Sequence, residues 1–278
     1  WIIQLYREGK KSSTIGRYLS VVSFAFDQAC EDDLIRKNPF KISAKEYAAD
    51  DKFSAVALTE EQQISFLSFV RDDPIFCKQY DAYNILLGTG LRISEFIGLT
   101  VHDLDMQNRI IHVTHQLTLA RDRTFHVTKP KSWHSIRDIY MSDSVYHSFQ
   151  HLVEEAKNRK VKIMIDGYCD FLQVSREGTI RGRRNFNMSL TSAVKKYNRL
   201  HPDTPLPRIT PHTFRHTFCT NMANRGIDIK SLQYLMGHSN VAITLNVYTH
   251  ANANTAVQQM ARLVEFTPTG SSAVPHVG

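Results

Sequence analysis

Residues 210–250 constrain this 278-residue chain more tightly than any other stretch. They read T-P-H-T-F-R-H-T-F-C-T-N-M-A-N-R-G-I-D-I-K-S-L-Q-Y-L-M-G-H-S-N-V-A-I-T-L-N-V-Y-T-H. Thr210 suits an N-cap and Pro211 the first helical position, where its missing N–H is no loss. Gly226 supplies a stop, because helices commonly end on a left-handed residue. A second helix is expected over about 228–236, ending on Gly237. His212 and Arg215, three apart, share one face of the first helix. His238 follows the second helix directly, and Tyr248 lies ten residues further on a third helical segment. Two imidazoles, a guanidinium and a phenol near helix ends suit phosphodiester chemistry at a tyrosine nucleophile: cations for the phosphate oxygens, imidazoles for protons, a phenol to attack.

Taken singly, these residues have plainer readings. Tyr248 alone fits a packing tyrosine, and His238 after a helix-ending glycine fits a donor to the last carbonyls. His212 and His216 have the spacing of an H-x-x-x-H metal pair. Arg215 between them opposes a bound cation, and no third ligand is obvious.

Charge narrows the partner. The net charge is +7 and the pI near 9.2, which favours an acidic partner, nucleic acid above all. The excess sits in residues 101–200, with seventeen Lys and Arg against ten Asp and Glu. Arg176, Arg181, Arg183, Arg184, Lys195, Lys196 and Arg199 are interrupted by a single acid, Glu177, so this run is expected to face phosphates. Cys30, Cys77, Cys169 and Cys219 form no C-x-x-C pair, which argues against a zinc ribbon or disulfide framework and for a reducing interior. No apolar run approaches the roughly 20 residues of a membrane span. A cytoplasmic setting is expected. The chain starts at Trp1 rather than Met, so it reads as a fragment.

The remaining pattern is mostly helical. Residues 1–10 read as a helix end, and Ser12 or Ser13 can cap a helix to about Asp33 with Ile15, Leu19, Val22, Phe26 and Ala29 as its buried stripe. Asn38-Pro39 stops it. Residues 46–58 read as a linker. Thr59 to Gln62 form a capping box, a helix follows over about 74–87, and Gly88-Thr89-Gly90 breaks it before L-R-I-S-E-F-I-G-L resumes. By spacing alone, Arg92 and Glu95 are an ordinary i, i+3 surface pair. Residues 109–141 switch to period two and predict one small antiparallel sheet of about three strands, with a turn at Arg121-Asp122-Arg123. A helix over 142–160, an irregular basic stretch with a possible strand at 171–174, and helices over about 188–200 and 252–264 complete the chain. Residues 266–278 read as a flexible tail.

H-T-F-R-H-T-F, L-M-G-H-S and the tyrosine ten residues on resemble the C-terminal signature of the tyrosine recombinases, or phage-type integrases, and most of all the integrases of conjugative transposons. T-G-L-R-I-S-E resembles that family's first catalytic block. S-S-T-I-G-R-Y-L-S and L-I-R-K-N-P-F are similar to the second half of its helical core-binding domain. The resemblance implies a mainly α fold with a small antiparallel β-sheet in two domains: 1–45 for the partial DNA clamp, then, after the linker, 59–265 for the catalytic domain. It implies Tyr248 as nucleophile and Arg92 and Arg215 as phosphate clamps. Lys129 would be the acid, with Lys131 as fallback. His212 would be the base and His238 a phosphate donor. Lys10, Lys11, Arg17, Lys131, Arg181, Arg183, Arg184, Lys195 and Lys196 are the candidate DNA contacts. The implied activity is site-specific cutting and rejoining of DNA that integrates or excises a mobile element, without cofactor or metal. The implied partners are double-stranded DNA and further copies of the chain, two to four on DNA, exchanging C-terminal helices. A type IB topoisomerase and a non-catalytic DNA-binding regulator are the alternatives.

Overall fold

The computed structural model describes residues 1–42, 57–130 and 133–248, with Asn246 and Tyr248 described by their backbone. The chain divides into two compact units, Trp1–Ala55 and Val56–Gly278. The expected helix at 252–264, the tail, most of the linker and Lys131 lie outside the described residues.

The first unit contains α1 (Ile2–Arg7) and α2 (Ser12–Glu31). Lys11, not a serine, occupies the N-cap of α2, so both serines fall inside the helix. Only Ile15 and Leu19 of the expected stripe are buried, against Ile2, Leu5 and Phe40. Val22, Phe26 and Ala29 stay half-covered, because little besides one returning segment lies over them in 1–42. Asn38 fastens that segment: its amide donates to Ser23 O (2.9 Å) and Asp27 Oδ1 (2.9 Å), and its oxygen accepts from Phe40 N–H (2.8 Å).

The second unit opens with α3 (Glu60–Asp72), whose capping box forms as the sequence predicts, with Thr59 and Gln62 bonding reciprocally. α4 (Tyr80–Thr89) begins six residues later than expected. The reason is local: Asp73 Oδ1 accepts from the N–H groups of Ile75 and Phe76 and holds them in a turn. Gly90 ends α4 at φ 63°, and a Cβ there would lie 2.4 Å from the Phe218 ring. α5 (Ile93–Gly98) follows at once. Phe66 of α3, Tyr83 of α4 and Phe214 pack as a triad with centroids 5.7–5.9 Å apart at the centre of the core.

The β region departs from expectation. Among the described residues it has five strands in two sheets: β1 (Leu104–Asp105), β2 (Ile110–Val113) and β5 (Arg137–Tyr140) in the order β1-β2-β5, and a separate hairpin of β3 (Gln116–Leu119) with β4 (Phe125–Thr128). All pairings are antiparallel. His115, buried between β2 and β3 with Nε2 2.9 Å from Gly98 O, diverts the chain so that β3 leaves the first sheet and packs on α5. The turn at 121–123 forms, with Arg123 at φ 68°. Residues 171–174 make isolated bridges at Phe171 and Val174 rather than a strand.

α6 (Asp143–Lys157) packs on α4 through Asn84, which donates to Ser144 O and Ser148 Oγ (3.0 Å each). α7 (Arg183–Leu200) starts five residues earlier than its apolar pattern predicts, because its first turn is polar and basic. α8 (Pro211–Asn224) and α9 (Ile229–Met236) stand where the capping signals put them, and α10 (Val241–Tyr248) is the third helical segment expected to carry Tyr248. Thr210 caps α8 reciprocally with Thr213, and Asp228 caps α9 at the N–H groups of Lys230 and Ser231. No described helix is long and apolar enough to cross a membrane.

Candidate active site

The site is built on the C-terminal end of α9. The last carbonyls of a helix lack intrahelical partners and carry the negative end of its dipole, so they attract charged donors. Three consecutive carbonyls here each accept from a different arginine. Leu235 O takes Arg137 Nε (2.6 Å), Met236 O takes Arg215 Nη2, and Gly237 O takes Arg92 Nη2 (2.7 Å). Gly237 itself is left-handed at φ 58°, and a Cβ on it would lie 3.2 Å from Arg92 and Arg137 nitrogens. The tight turn and the close guanidinium packing both require glycine.

Glu95 holds the arginines from the other side. It is 2 % exposed, accepts from Arg92 N–H (2.8 Å) and Nη1 (2.7 Å), and receives Arg137 Nη1 (3.1 Å) and Nη2 (2.9 Å). Burial alone would raise its pKa, but the Arg137 hydrogen bonds and charge hold it below the usual carboxylate range. Arg215 reaches across to Gly90 O (2.7 Å), the residue that ends α4. Burial, then the Arg92 charge, pulls Arg215 down to about 9, and it keeps its charge at neutral pH. Three guanidiniums against one carboxylate leave an excess of positive charge in a largely buried site. Arg92, with a third of its side chain exposed, is the one that opens to solvent.

His238 stands one residue past Gly237. Its Nδ1 lies 3.0 Å from Oγ1 of Thr244, a fully buried residue on α10, and its backbone is clasped by Gln233. Burial, then Arg215, Arg92 and Arg137, pushes the His238 pKa down to about 4, so the ring is neutral at neutral pH. Between pH 6.5 and about 4 the unfolded chain takes up a proton that folded His238 refuses, so stability present above 6.5 is lost as pH falls. A His238→Asn chain is therefore expected to show a shallower fall of Tm from pH 6.5 to 4 than the parent, measured by thermal unfolding. Parallel curves would show that the ring does not titrate this way. His212 opens to solvent on the first turn of α8. Partial burial, then Arg215, His216 and Arg183, lowers its pKa as well. Arg183 starts α7, so the basic run and the arginine cluster act on a common histidine.

The structure thus brings Arg92, Arg215 and His238 together, with His212 within reach of the same charges. Tyr248 is the last residue of α10, and α10 packs on both α8 and α9. Lys129 is exposed just past β4. Arg183, Arg184 and Lys195 are exposed and Arg181 half-buried. Lys10, Lys11 and Arg17 are exposed on the first unit. Lys196 differs from the free ammonium its position in the basic run predicts: it is paired with Asp73 and lies 5.9 Å from the Phe76 ring centroid. Arg92 and Glu95 are no ordinary surface pair, since Glu95 is buried under two arginines. Among the described residues, no third His, Cys, Asp or Glu joins His212 and His216. Sequence reasoning missed Arg137. The available signal was parity: Arg137 shares the inward face of β5 with Ile139, where a cation needs a buried acid.

Residues 57–255 match the protein-family model for the phage integrase family. The transposase from transposon Tn916 of Enterococcus faecalis is 42% identical over 263 residues, which is 95% of this chain and 64% of that protein. The chain therefore spans just under two thirds of that curated relative. A tyrosine recombinase XerC-like protein of Caldanaerobacter subterraneus is 25% identical over 265 residues, 89% of this chain and 64% of its own length. Among solved structures, a Tn1549 transposon integrase in complex with a circular intermediate DNA is similar at a TM-score of 0.85 and 42% identity, over 94% of this chain and 83% of that one.

Proposed function

This chain belongs to the phage integrase family, and from that premise we propose that it is a tyrosine site-specific recombinase that integrates or excises a mobile element. The observation that carries the reading is the arginine cluster: Arg92 and Arg215, fixed on the end of α9, adjoin the turn that leads through His238 into the helix ending at Tyr248.

In the proposed reaction the Tyr248 phenol oxygen attacks a DNA phosphorus and the bond to the 5′-oxygen of the next nucleotide breaks. A 3′-phosphotyrosine link forms and conserves the bond energy, and a 5′-hydroxyl from a second strand reverses the step. Arg92 and Arg215 bind the non-bridging oxygens, where negative charge develops; planar guanidinium forks match two oxygens at once. His238 is held neutral, and in the tautomer that accepts from Thr244 at Nδ1 its Nε2–H is left to donate to a phosphate oxygen. His212 takes the phenol proton. Lys129, or Lys131 two residues on, gives a proton to the departing 5′-oxygen.

The test is incubation with a nicked duplex that traps the covalent intermediate, followed by denaturing electrophoresis and peptide mapping. A DNA adduct mapping to Tyr248 is expected, and an adduct on another residue overturns the assignment. Exchange of strands between two duplexes distinguishes a recombinase from an enzyme that only relaxes supercoils. Arg215→Lys replaces a fork with a point charge and is expected to slow single-turnover cleavage by ~10²–10³-fold, the scale of a lost oxyanion donor, with duplex affinity retained. An unchanged rate would remove Arg215 from the phosphate.

Arg181, Arg183, Arg184 and Lys195, with Lys10, Lys11 and Arg17 of residues 1–45, are assigned to the DNA backbone, residues 1–45 acting as the clamp and 59–265 as the catalytic domain. Log affinity should fall with log salt by ~0.9 per phosphate contacted, and a flat response would count against this surface. A cytoplasmic setting and a dimer-to-tetramer on DNA, joined through the segment after Tyr248, complete the reading. Truncation after Thr249 is expected to abolish the DNA-bound oligomer.

A further inference from the structure

Outside the arginine cluster, three ligating side chains come together from two segments of the chain. The donor atoms of His102, Cys169 and Asp170 all lie within 4.8 Å of one another. We propose that these three residues form a binding site for a divalent transition-metal ion of the zinc type, with water in the fourth position.

Two of the three separations already suit the ion, and the third, His102 to Cys169, lies within 4.8 Å. Asp170 Oδ2 lies 3.7 Å from His102 Nε2 and 3.6 Å from Cys169 Sγ. Zinc bonds to N, O and S of about 2.0–2.3 Å in a tetrahedron imply ligand-to-ligand edges of about 3.4–3.6 Å. Small side-chain movements close the difference, and His102 is free to make them, being 72% exposed.

The frame under the ligands is already fixed. His102 sits in a 3₁₀ turn, Val101–Asp103, capped by Asp103 Oδ2 on the N–H and hydroxyl of Thr100 (2.7 Å each). Cys169 and Asp170 run alongside it. Val101 N–H donates to Asp170 O (3.1 Å), and Leu172 N–H donates to Leu99 O (3.0 Å). Binding therefore costs little backbone ordering.

Asp170 divides its two oxygens. Oδ1 accepts from the Lys162 ammonium (2.6 Å), and Oδ2 faces the imidazole and the thiol. Ligating carboxylates are commonly held this way through the oxygen that does not bind metal. The ammonium weakens the site for any cation. Thiolate and imidazole compensate only for a borderline metal, which selects zinc over magnesium or calcium. On binding, the Cys169 thiol releases its proton to solvent. Its S–H···Oδ2 hydrogen bond is replaced by metal–sulfur and metal–oxygen bonds, so binding weakens in acid. The ion would cross-link residues 99–103 to 169–172, immediately before the basic run that begins at Arg176, and stiffen the connection from α6 to α7.

The test titrates the reduced, metal-stripped chain with Co²⁺, whose thiolate charge-transfer and four-coordinate d–d absorption report the ligands directly. One Co²⁺ per chain with a thiolate band is expected, and Zn²⁺ should displace it. Cys169→Ala should lose the band while Cys77→Ala, which removes an exposed thiol, keeps it. His102→Asn should weaken binding by more than the ~10–100-fold typical of an outer partner. Zn²⁺ should also raise the Tm of the parent chain and not that of His102→Asn, a readout that does not depend on cysteine variants. A chain without a thiolate band, a band that survives in Cys169→Ala, or equal Tm shifts in parent and His102→Asn overturns the site.

Discussion

Tyr248→Phe is expected to bind duplex DNA with the parent's affinity and to form no covalent adduct. The substitution removes one oxygen and keeps the ring. α10 is held by other means: Thr244 on His238, and Val247 against the small core that α8 and α9 share with it. The helix therefore survives the change, and the loss falls on chemistry alone. Deleting a nucleophile elsewhere costs on the order of 10⁶-fold in turnover, which puts residual cleavage below detection. Anisotropy of a labelled duplex measures the first quantity and denaturing gels the second. A persisting adduct would move the nucleophile to another residue.

Glu95→Gln is expected to be the most destabilising conservative change in the second unit. Glu95 is the acid shared by Arg92 and Arg137, and both its oxygens are used. Removing one partner of a buried ion pair leaves an uncompensated charge and costs ~3–5 kcal/mol. Urea unfolding measures it directly. The double change Glu95→Gln with Arg137→Met should cost less than the sum of the two singles, since the orphaned cation leaves as well. Additive losses would show that the two residues do not act as a pair. The pH dependence has a defined sign. The folded carboxyl titrates below its ordinary 4.5, so it contributes stability above that pH that is lost as pH falls further. Glu95→Gln should lack this part of the acid transition. Cleavage should fall too, because Arg92 would lose its counter-charge and one of the two oxygens it bonds.

Local chemistry was legible in the sequence, and long-range chemistry was not. Thr59, Thr210, Asp228, Gly90 and Gly237 mark their helix ends because capping depends on neighbours three or four residues away. His212, Arg215, His238 and Arg92 were readable from short motifs. The Glu95–Arg137 pair joins residues 42 apart, and the Arg92–Gly237 bond joins residues 145 apart, so no window of sequence contains either. The same limit applies to the sheet. Period-two alternation identifies strands, but the choice of partner for β3 rests on buried His115 bonding to Gly98 across the core. Lys196 looked like part of a basic face because its partner, Asp73, lies 123 positions away. The early start of α7 escaped because a basic, apolar-poor first turn carries no periodic signal.

In the proposed reaction the carbonyls of α9 would link phosphate recognition to attack. Gly237 O grips Arg92, and His238, its neighbour in the chain, grips Thr244 on the helix that ends in the phenol. A phosphate that drew Arg92 outward would then pull on the same two-residue turn that leads into that helix. A phosphate at Arg92 and the aim of the Tyr248 phenol would in this way be coupled through one turn.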